Sequence, residues 1–172
     1  EIELMADYNQ ALSPDEALER GRGLDGEGLS WIEEPIRHDD YAGCSRLAQA
    51  VETPIQIGEN FAGPHAMAAA LAANAADYMM PDAFRIGGVT GWQECAALAF
   101  HPGMRISSHL VPELSAHLLA ITPTRHWLEY VDWANPVLAE PFQVVNGTLT
   151  PPDRPGTGLL WNDGAVARYR VA

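Results

Sequence analysis

The sequence predicts an α/β fold, a (β/α)8 TIM-type barrel, with about six βα units present in its 172 residues. Short apolar runs alternate with helical patterns, which is typical of parallel strands that are buried on both faces and joined by helices. Each run ends in an ionisable residue, and these residues recur every 20 to 27 positions, about the length of one βα unit. The active site of a barrel forms at the carboxyl ends of its strands, so a functional group at every strand end favours this fold. The six strand-end residues are Asp7, Glu33, Glu59, Asp82, His109 and Glu129.

The predicted elements follow one another in a regular order. The first helix has the clearest start, because Ser13 can act as its N-cap, Pro14 takes the first helical position and Glu16 completes a capping box. The strand-like runs lie at residues 2–9, 29–35, 54–60, 77–83, 105–110 and 126–131. The helical patterns lie at residues 13–24, 41–52, 63–76, 90–101 and 112–121.

An open doubly wound sheet is the alternative fold. Such a sheet would gather its functional groups at one switch point rather than at every strand end. A complete barrel has eight βα units, so six units predict the C-terminal portion of a longer barrel over residues 1–134. After Glu129 the helical pattern stops, and residues 135–172 are rich in Pro and Gly with short β-like pieces. We expect this tail to pack on a neighbouring capping domain.

Composition excludes several classes of partner. The net charge of −13 argues against nucleic acid and anionic membrane surfaces, which require Lys and Arg patches. No apolar run approaches the ~20 residues of a membrane span, and no secretory signal is visible. Cys44 and Cys95 are too few for a disulfide framework and predict buried thiols in a reducing, cytoplasmic protein. All ten cationic side chains are arginines, so a lysine base would have to come from elsewhere.

The acids at the first three strand ends, Asp7, Glu33 and Glu59, would lie side by side in a barrel. Carboxylates that close do not all stay ionised unless a cation lies among them. A hard divalent ion such as Mg²⁺ takes carboxylate oxygens and keeps open positions for water or substrate. Each acid alone could instead cap a helix or pair with a surface arginine, but three acids at near-equal spacing favour a metal site.

The next three strand ends carry Asp82, His109 and Glu129. A carboxylate bonded to one imidazole nitrogen fixes the tautomer of the ring and raises its basicity, so Asp82 and His109 predict a general base. Glu129 is a candidate for a protonated acid that donates to a substrate oxygen. An ion pair with the nearby Arg125 is the alternative for Glu129.

With these residues in order, the sequence resembles the enolase superfamily and, within it, the mandelate racemase branch. The matching segments cover nearly the whole chain in the order of the family, and their combination is highly specific. The segments are DYNQ, WIEEP, IGEN, MPDAFRIGGVTGW, ISSHL, SAHLLAITPTRHWLEY and PGTGLLW.

The resemblance implies that the chain contains strands three to eight of a barrel. It implies that Asp7, Glu33 and Glu59 are the ligands of a Mg²⁺ ion. It also implies that His109, oriented by Asp82, is a general base or acid at the α-carbon of the substrate. In this branch a lysine on the second barrel strand faces that histidine across the substrate, and this strand would lie upstream of the present chain.

The resemblance further implies that Glu129 hydrogen-bonds the substrate carboxylate as it becomes an enediolate, with Asn9 and Asn60 as polar neighbours. The expected function is Mg²⁺-dependent removal of the α-proton of a 2-hydroxy carboxylate, first as racemisation of a mandelate-like acid. Dehydration of a sugar acid is the second expectation, and a non-catalytic metal-binding scaffold is the alternative from another class. We expect a small carboxylate substrate as the partner and a homo-oligomer for the full-length protein.

Overall fold

A single parallel sheet organises the fold in the computed structural model, which describes residues 2–171. Its six strands lie in the order β1 to β6, the same as their order in the chain, and a helix follows each of the first five. The strands are β1 Leu4–Asp7, β2 Leu29–Glu33, β3 Ile55–Ile57, β4 Tyr78–Met79, β5 Arg105–Ser108 and β6 Arg125–Leu128. The intervening helices are α1 Pro14–Leu24, α2 Tyr41–Ala50, α3 Pro64–Ala72, α4 Gly88–Phe100 and α5 Pro112–Ala120.

This strand order confirms the predicted fold class as the C-terminal part of a (β/α)8 barrel. A doubly wound sheet would reverse its strand order at a switch point, so that alternative is wrong. The observed strands are shorter than the predicted runs, and β4 contains only two residues. Four of the six polar residues at the ends of the predicted runs lie in the loops that follow the strands, and the other two are the last residues of β1 and β2.

Local capping chemistry explains where the helices begin and end. At the start of α1 the Ser13 amide donates to the Glu16 carboxylate at 3.0 Å and the Glu16 amide donates to the Ser13 hydroxyl at 3.4 Å, which confirms the predicted capping box. Helix α3 ends four residues before the predicted end, because Asn74 adopts a left-handed conformation with φ 50°. The longest helix has 13 residues, and within residues 2–171 no helix is both long and apolar enough to cross a membrane.

The hydrophobic core lies between one face of the sheet and the helices. Alternate residues of a strand point to opposite faces, so Ile55 and Ile57 enter the core while Gln56 between them makes polar contacts. The opposite face of the sheet carries buried polar and aromatic side chains that form hydrogen bonds close to the strand ends. Buried core residues from the strands and helices include Ile32, Leu47, Met67, Met79, Trp92, Ile106 and Leu118.

The tail, residues 135–172, differs from its prediction in one element. It contains a short 3₁₀ turn and a two-stranded hairpin, as the Pro- and Gly-rich composition suggested, but it also contains helix α6, Asp163–Tyr169. The side chain of Asn162 caps the start of α6. Asparagine is a preferred N-cap residue, but it stands in a Pro- and Gly-rich segment whose composition does not indicate a helix. The tail packs back on the barrel, where the His117 Nε2 lies 3.0 Å from the carbonyl oxygen of Thr157 on the tail. The short elements are η1 Asn135–Val137, β7 Val144–Val145 and β8 Thr148–Leu149.

Two helical glycines give a matched test of the packing around α4. A Cβ atom on Gly91 would lie 1.9 Å from the carbonyl oxygen of Ile86, whereas a Cβ on Gly23 in α1 would meet nothing within 4 Å. We expect Gly91→Ala to lower the free energy of unfolding by about 1–3 kcal/mol, because the backbone must move. Gly23→Ala should raise it by up to about 1 kcal/mol through its helix propensity. Urea unfolding followed by circular dichroism measures both, and wild-type stability for Gly91→Ala would contradict the close approach.

Candidate active site

The six predicted strand-end residues all lie at the carboxyl edge of the sheet. Asp7 and Glu33 are the last residues of β1 and β2, and they are paired in the strand register. The other four follow the last residue of their own strands by one to three positions. The strands are parallel and run in chain order, so this edge is the only place where the loops from all six can supply side chains to one site. The four residues in the loops are Glu59, Asp82, His109 and Glu129.

Asp82 and His109 form the predicted pair. The Nδ1 of His109 lies 2.9 Å from Oδ2 of Asp82, and both side chains are nearly buried. Burial opposes ionisation of Asp82, but hydrogen bonds from the Arg85 amide, His109 and the Phe84 amide outweigh it and lower the pKa of the carboxyl. An ionised carboxylate only accepts hydrogen bonds, so Nδ1 of His109 is the donor in this pair, and Nε2 is the ring nitrogen that faces away from Asp82.

Glu59 lies on the other side of the imidazole. Its Oε2 is 3.3 Å from Nε2 of His109, while its Oε1 accepts from the Asn60 amide at 3.1 Å and lies 3.7 Å from Arg85. The same Asn60 nitrogen donates to Glu34 at 2.8 Å, and the Asn60 oxygen accepts from Arg85 at 2.7 Å. Asn60 therefore bridges two carboxylates, a contact that its prediction as a substrate neighbour did not include. Glu34 is 1% exposed, and its Oε1 has no hydrogen-bond partner among the described residues.

Burial strongly perturbs Glu33, the second acid of the predicted metal trio. Its side chain is buried, and its Oε2 accepts from Nε1 of Trp31 at 3.1 Å and from Nε2 of Gln56 at 3.3 Å. Burial raises the pKa of Glu33 to about 7, the charges of Asp7 and Glu129 add to this effect, and the two hydrogen bonds oppose it. Trp31 and Gln56 were not predicted as functional residues. The available signal was a glutamine in the middle of an otherwise apolar, buried strand.

Asp7 and Glu129 bond to groups close to the strand ends. The Oδ1 of Asp7 accepts from the Asn9 backbone amide at 2.8 Å, and the Asn9 side-chain amide bonds to the other oxygen of Asp7. Asn9 thus donates hydrogen bonds to both oxygens of Asp7, the predicted metal ligand. Glu129 accepts from the Leu110 backbone amide at 2.6 Å and, within residues 2–171, forms no ion pair with Arg125, so that alternative is wrong.

The donor chemistry of Asp7, Glu33 and Glu59 fits a hard divalent cation. All three supply carboxylate oxygens, the ligands that Mg²⁺ prefers, and buried Glu33 accepts hydrogen bonds from two neutral side chains, in agreement with its raised pKa. Within the described part of the chain, no three Asp, Glu, His or Cys side chains already converge on one point as a metal cluster. The three acids share one edge of the sheet. Each accepts a hydrogen bond from a carboxamide side chain, which belongs to Asn9, Gln56 or Asn60.

Comparison with known proteins identifies relatives over nearly the whole chain. Residues 1–165 match the family model described as enolase C-terminal domain-like. The L-talarate/galactarate dehydratase of Salmonella typhimurium is 34% identical over 165 residues, which cover 96% of this chain and 42% of that protein.

Solved structures agree with the sequence match. An enolase from an alphaproteobacterium with bound magnesium has a TM-score of 0.93 at 48% identity, covering 96% of this chain and 46% of that one. An enolase from Bradyrhizobium, complexed with magnesium and mandelic acid, has a TM-score of 0.95 at 45% identity, covering 99% of this chain and 47% of that one. The chain thus spans slightly less than half the length of the relatives it matches.

The raised pKa of Glu33 predicts a pH-dependent stability for the metal-free protein. An acid whose pKa rises from 4.5 to about 7 on folding favours the folded state at low pH, and this contribution is lost as the pH rises through 7. We expect Glu33→Gln to be more stable than the wild type at pH 8, by up to about 3 kcal/mol. The difference should shrink to below about 1 kcal/mol at pH 5. Chemical unfolding in EDTA at several pH values measures this trend.

Asp82 supplies the control of opposite sign. Its pKa is lowered, so it contributes stability above its unfolded pKa, and that stability is lost only as the pH falls through its folded pKa. Asp82→Asn should therefore be less stable than the wild type at neutral pH, in the same EDTA buffers. A gain for Glu33→Gln that does not change between pH 5 and pH 8 would contradict the burial effect.

Proposed function

The chain belongs to the enolase C-terminal domain-like family, and on that premise we propose that it carries the proton-transfer half of a Mg²⁺-dependent active site for 2-hydroxy carboxylates. The pairing of His109 with an ionised Asp82 at the carboxyl edge of the sheet is the observation that supports this proposal most directly. The chain spans slightly less than half of its relatives, so the proposed activity belongs to the full-length protein.

His109 acts as the base in the proposed reaction. Its Nε2 takes the proton from the α-carbon, and the electron pair of the broken C–H bond moves into the substrate carboxylate. The resulting imidazolium is stabilised by the Asp82 carboxylate, which is 2.9 Å from Nδ1. The same nitrogen then holds the proton ready for return to the substrate.

The other carboxylates of the site have two proposed roles, metal binding and hydrogen bonding to the substrate. Asp7, Glu33 and Glu59 would hold a Mg²⁺ ion, which when bound stabilises the negative charge that develops on the substrate carboxylate. Glu129 has one oxygen occupied by the Leu110 amide, so its other oxygen, when protonated, would donate a hydrogen bond to that carboxylate.

Racemisation of a mandelate-like acid is the first proposed reaction. The Bradyrhizobium enolase, complexed with mandelic acid, is 45% identical to this chain over an aligned region that covers 99% of this chain. In this reaction His109 serves one face of the α-carbon, and a base outside the chain delivers a proton to the other face. This division agrees with the composition, because all ten cationic side chains of the chain are arginines.

Dehydration of an acid sugar is the second candidate, favoured by the 34% identity to the L-talarate/galactarate dehydratase. After the α-proton is removed, the hydroxyl on the neighbouring carbon takes a proton from the His109 imidazolium, the C–O bond breaks and water leaves. The resulting enol takes up a proton at carbon and becomes a 2-keto acid. Both reactions use the same first step, and they differ in where the proton on His109 goes.

Mg²⁺ binding tests the metal part of the proposal. Glu33→Gln in the full-length protein should weaken Mg²⁺ binding by at least about 10-fold, because even partners outside the coordination sphere have effects of that size. Asp25→Asn is the control, since Asp25 bonds to Thr53 ahead of β3, away from the carboxyl edge. Isothermal calorimetry measures both affinities. Unchanged affinity in Glu33→Gln would remove Glu33 from the metal site.

Hydrogen exchange in D₂O tests the base. His109→Asn should abolish racemisation of mandelate and leave α-proton exchange for one enantiomer only, because the base on the opposite face still removes and returns its own proton. Asp82→Asn should reduce both activities more mildly, and His65→Asn, at an exposed position, should behave as the wild type. Proton NMR of each enantiomer gives the rates.

The same variants separate the two candidate reactions. A dehydratase would release a 2-keto acid from galactarate with the wild type, and His109→Asn would lose this product. Equal exchange of both mandelate enantiomers by His109→Asn would contradict its role as the base for one face. A protein that shows neither exchange nor keto-acid formation would support the scaffold alternative.

A further inference from the structure

Resting on the proposed metal site, we propose that Gln56 is a positioning residue that, together with Trp31, presents Glu33 to the metal ion. Gln56 lies in the middle of β3 between two core isoleucines and is fully buried. A buried amide needs partners for its polar atoms, and the partners of this one lead directly to a predicted metal ligand.

Two donors meet on one oxygen of Glu33. The indole nitrogen of Trp31 donates to Oε2 at 3.1 Å, and the amide nitrogen of Gln56 donates to the same Oε2 at 3.3 Å. Because the donors come from neighbouring strands, β2 and β3, they fix both the position and the rotation of the carboxylate. Both bonds go to Oε2, so Oε1 is the oxygen left for a cation.

The orientation of the Gln56 amide is itself determined by its surroundings. The Ser107 hydroxyl, on β5, donates to Oε1 of Gln56 at 3.1 Å, while Sδ of Met80 lies 3.0 Å from Nε2. In this arrangement the amide turns its nitrogen towards Glu33 and its oxygen towards Ser107, and each end has a partner of the matching kind. The Trp127 backbone amide, 3.4 Å from the Ser107 oxygen, connects β6 to the same chain of contacts.

Outer partners of metal ligands orient the ligands and typically change metal affinity 10- to 100-fold when they are removed. A buried polar group can also exist only to satisfy its own hydrogen bonds, and the chain contains such a case for comparison. Trp92 donates its indole N–H to Thr122 at 2.9 Å, and both residues are buried away from the carboxyl edge. Trp31 and Trp92 are thus a matched pair, with the same donor and similar burial but different acceptors.

The experiment compares Trp31→Phe, Trp92→Phe, Gln56→Met and Ser107→Ala in the full-length protein. Calorimetry measures the dissociation constant of Mg²⁺, thermal unfolding measures stability, and turnover is measured against Mg²⁺ concentration. We expect Trp31→Phe and Gln56→Met each to weaken Mg²⁺ binding about 10-fold. Trp92→Phe should lower the melting temperature and leave Mg²⁺ affinity unchanged. Saturating Mg²⁺ should restore most of the turnover lost in Trp31→Phe.

A double variant tests whether Ser107 acts through the amide. Ser107→Ala should weaken Mg²⁺ binding by less than Gln56→Met, and adding it to Gln56→Met should cause no further loss, because the two residues act as a unit. If Gln56→Met does not fold, Trp31→Phe and Ser107→Ala still decide the question.

The outcomes separate this inference from the metal site itself. Wild-type Mg²⁺ affinity in Trp31→Phe and Gln56→Met, together with weakened affinity in Glu33→Gln, would overturn the positioning role and leave the metal site standing. Unchanged affinity in Glu33→Gln would overturn both. Equal losses of affinity in Trp31→Phe and Trp92→Phe would show a general effect on stability, and the positioning role would be wrong.

Discussion

Negative charge buried at one edge of a parallel sheet is the constraint on which the rest of this structure depends. Glu33, Glu34 and Asp82 are 8%, 1% and 5% exposed, and burying a carboxylate without compensation is costly. The compensation differs between Asp82 and Glu33. Asp82 has an imidazole and two backbone amides, whereas Glu33 has only neutral donors and its pKa is raised to about 7. Asp82 is therefore ionised at neutral pH, whereas a charged Glu33 needs a cation nearby.

The backbone at this edge is strained where the functional residues lie. Five residues that follow Asp7, Glu33 or His109 within three positions adopt left-handed conformations, which cost roughly 1–3 kcal/mol each for residues other than glycine. Val111 is a β-branched residue in a left-handed conformation at the start of α5. The Leu110 backbone amide that precedes it donates to Glu129, and this hydrogen bond helps to hold the strained turn in place. Sharp turns at these positions let a strand end and a helix begin within a few residues and keep the side chains close together. The left-handed residues are Asn9, Gln10, Glu34, Leu110 and Val111.

Carboxamide side chains link the predicted acids to one another and to the sheet. Asn9 bonds to Asp7, Gln56 to Glu33 and Asn60 to both Glu59 and Glu34. An amide suits this task because it donates to a carboxylate with one end and accepts from a second partner with the other. Asn60 accepts from Arg85 in this way, and Gln56 accepts from Ser107. These neutral amides therefore orient the oxygens of the acids without adding a counter-charge, while Glu59 also lies 3.7 Å from the Arg85 guanidinium.

The sequence by itself determined the α/β class, the order of six βα units and the strand-end position of each ionisable residue. These features depend on local periodicity, on caps such as Ser13 and on the rule that parallel strands share one carboxyl edge. The tertiary structure alone decided which groups bond to those residues. Trp31 and Gln56 meet Glu33 through neighbouring strands, Asn60 bridges two acids from different loops, and Glu129 bonds to a backbone amide 19 residues away instead of Arg125. Such partners are set by the register and twist of the sheet and by side-chain rotamers, which the periodicity of a single chain does not encode.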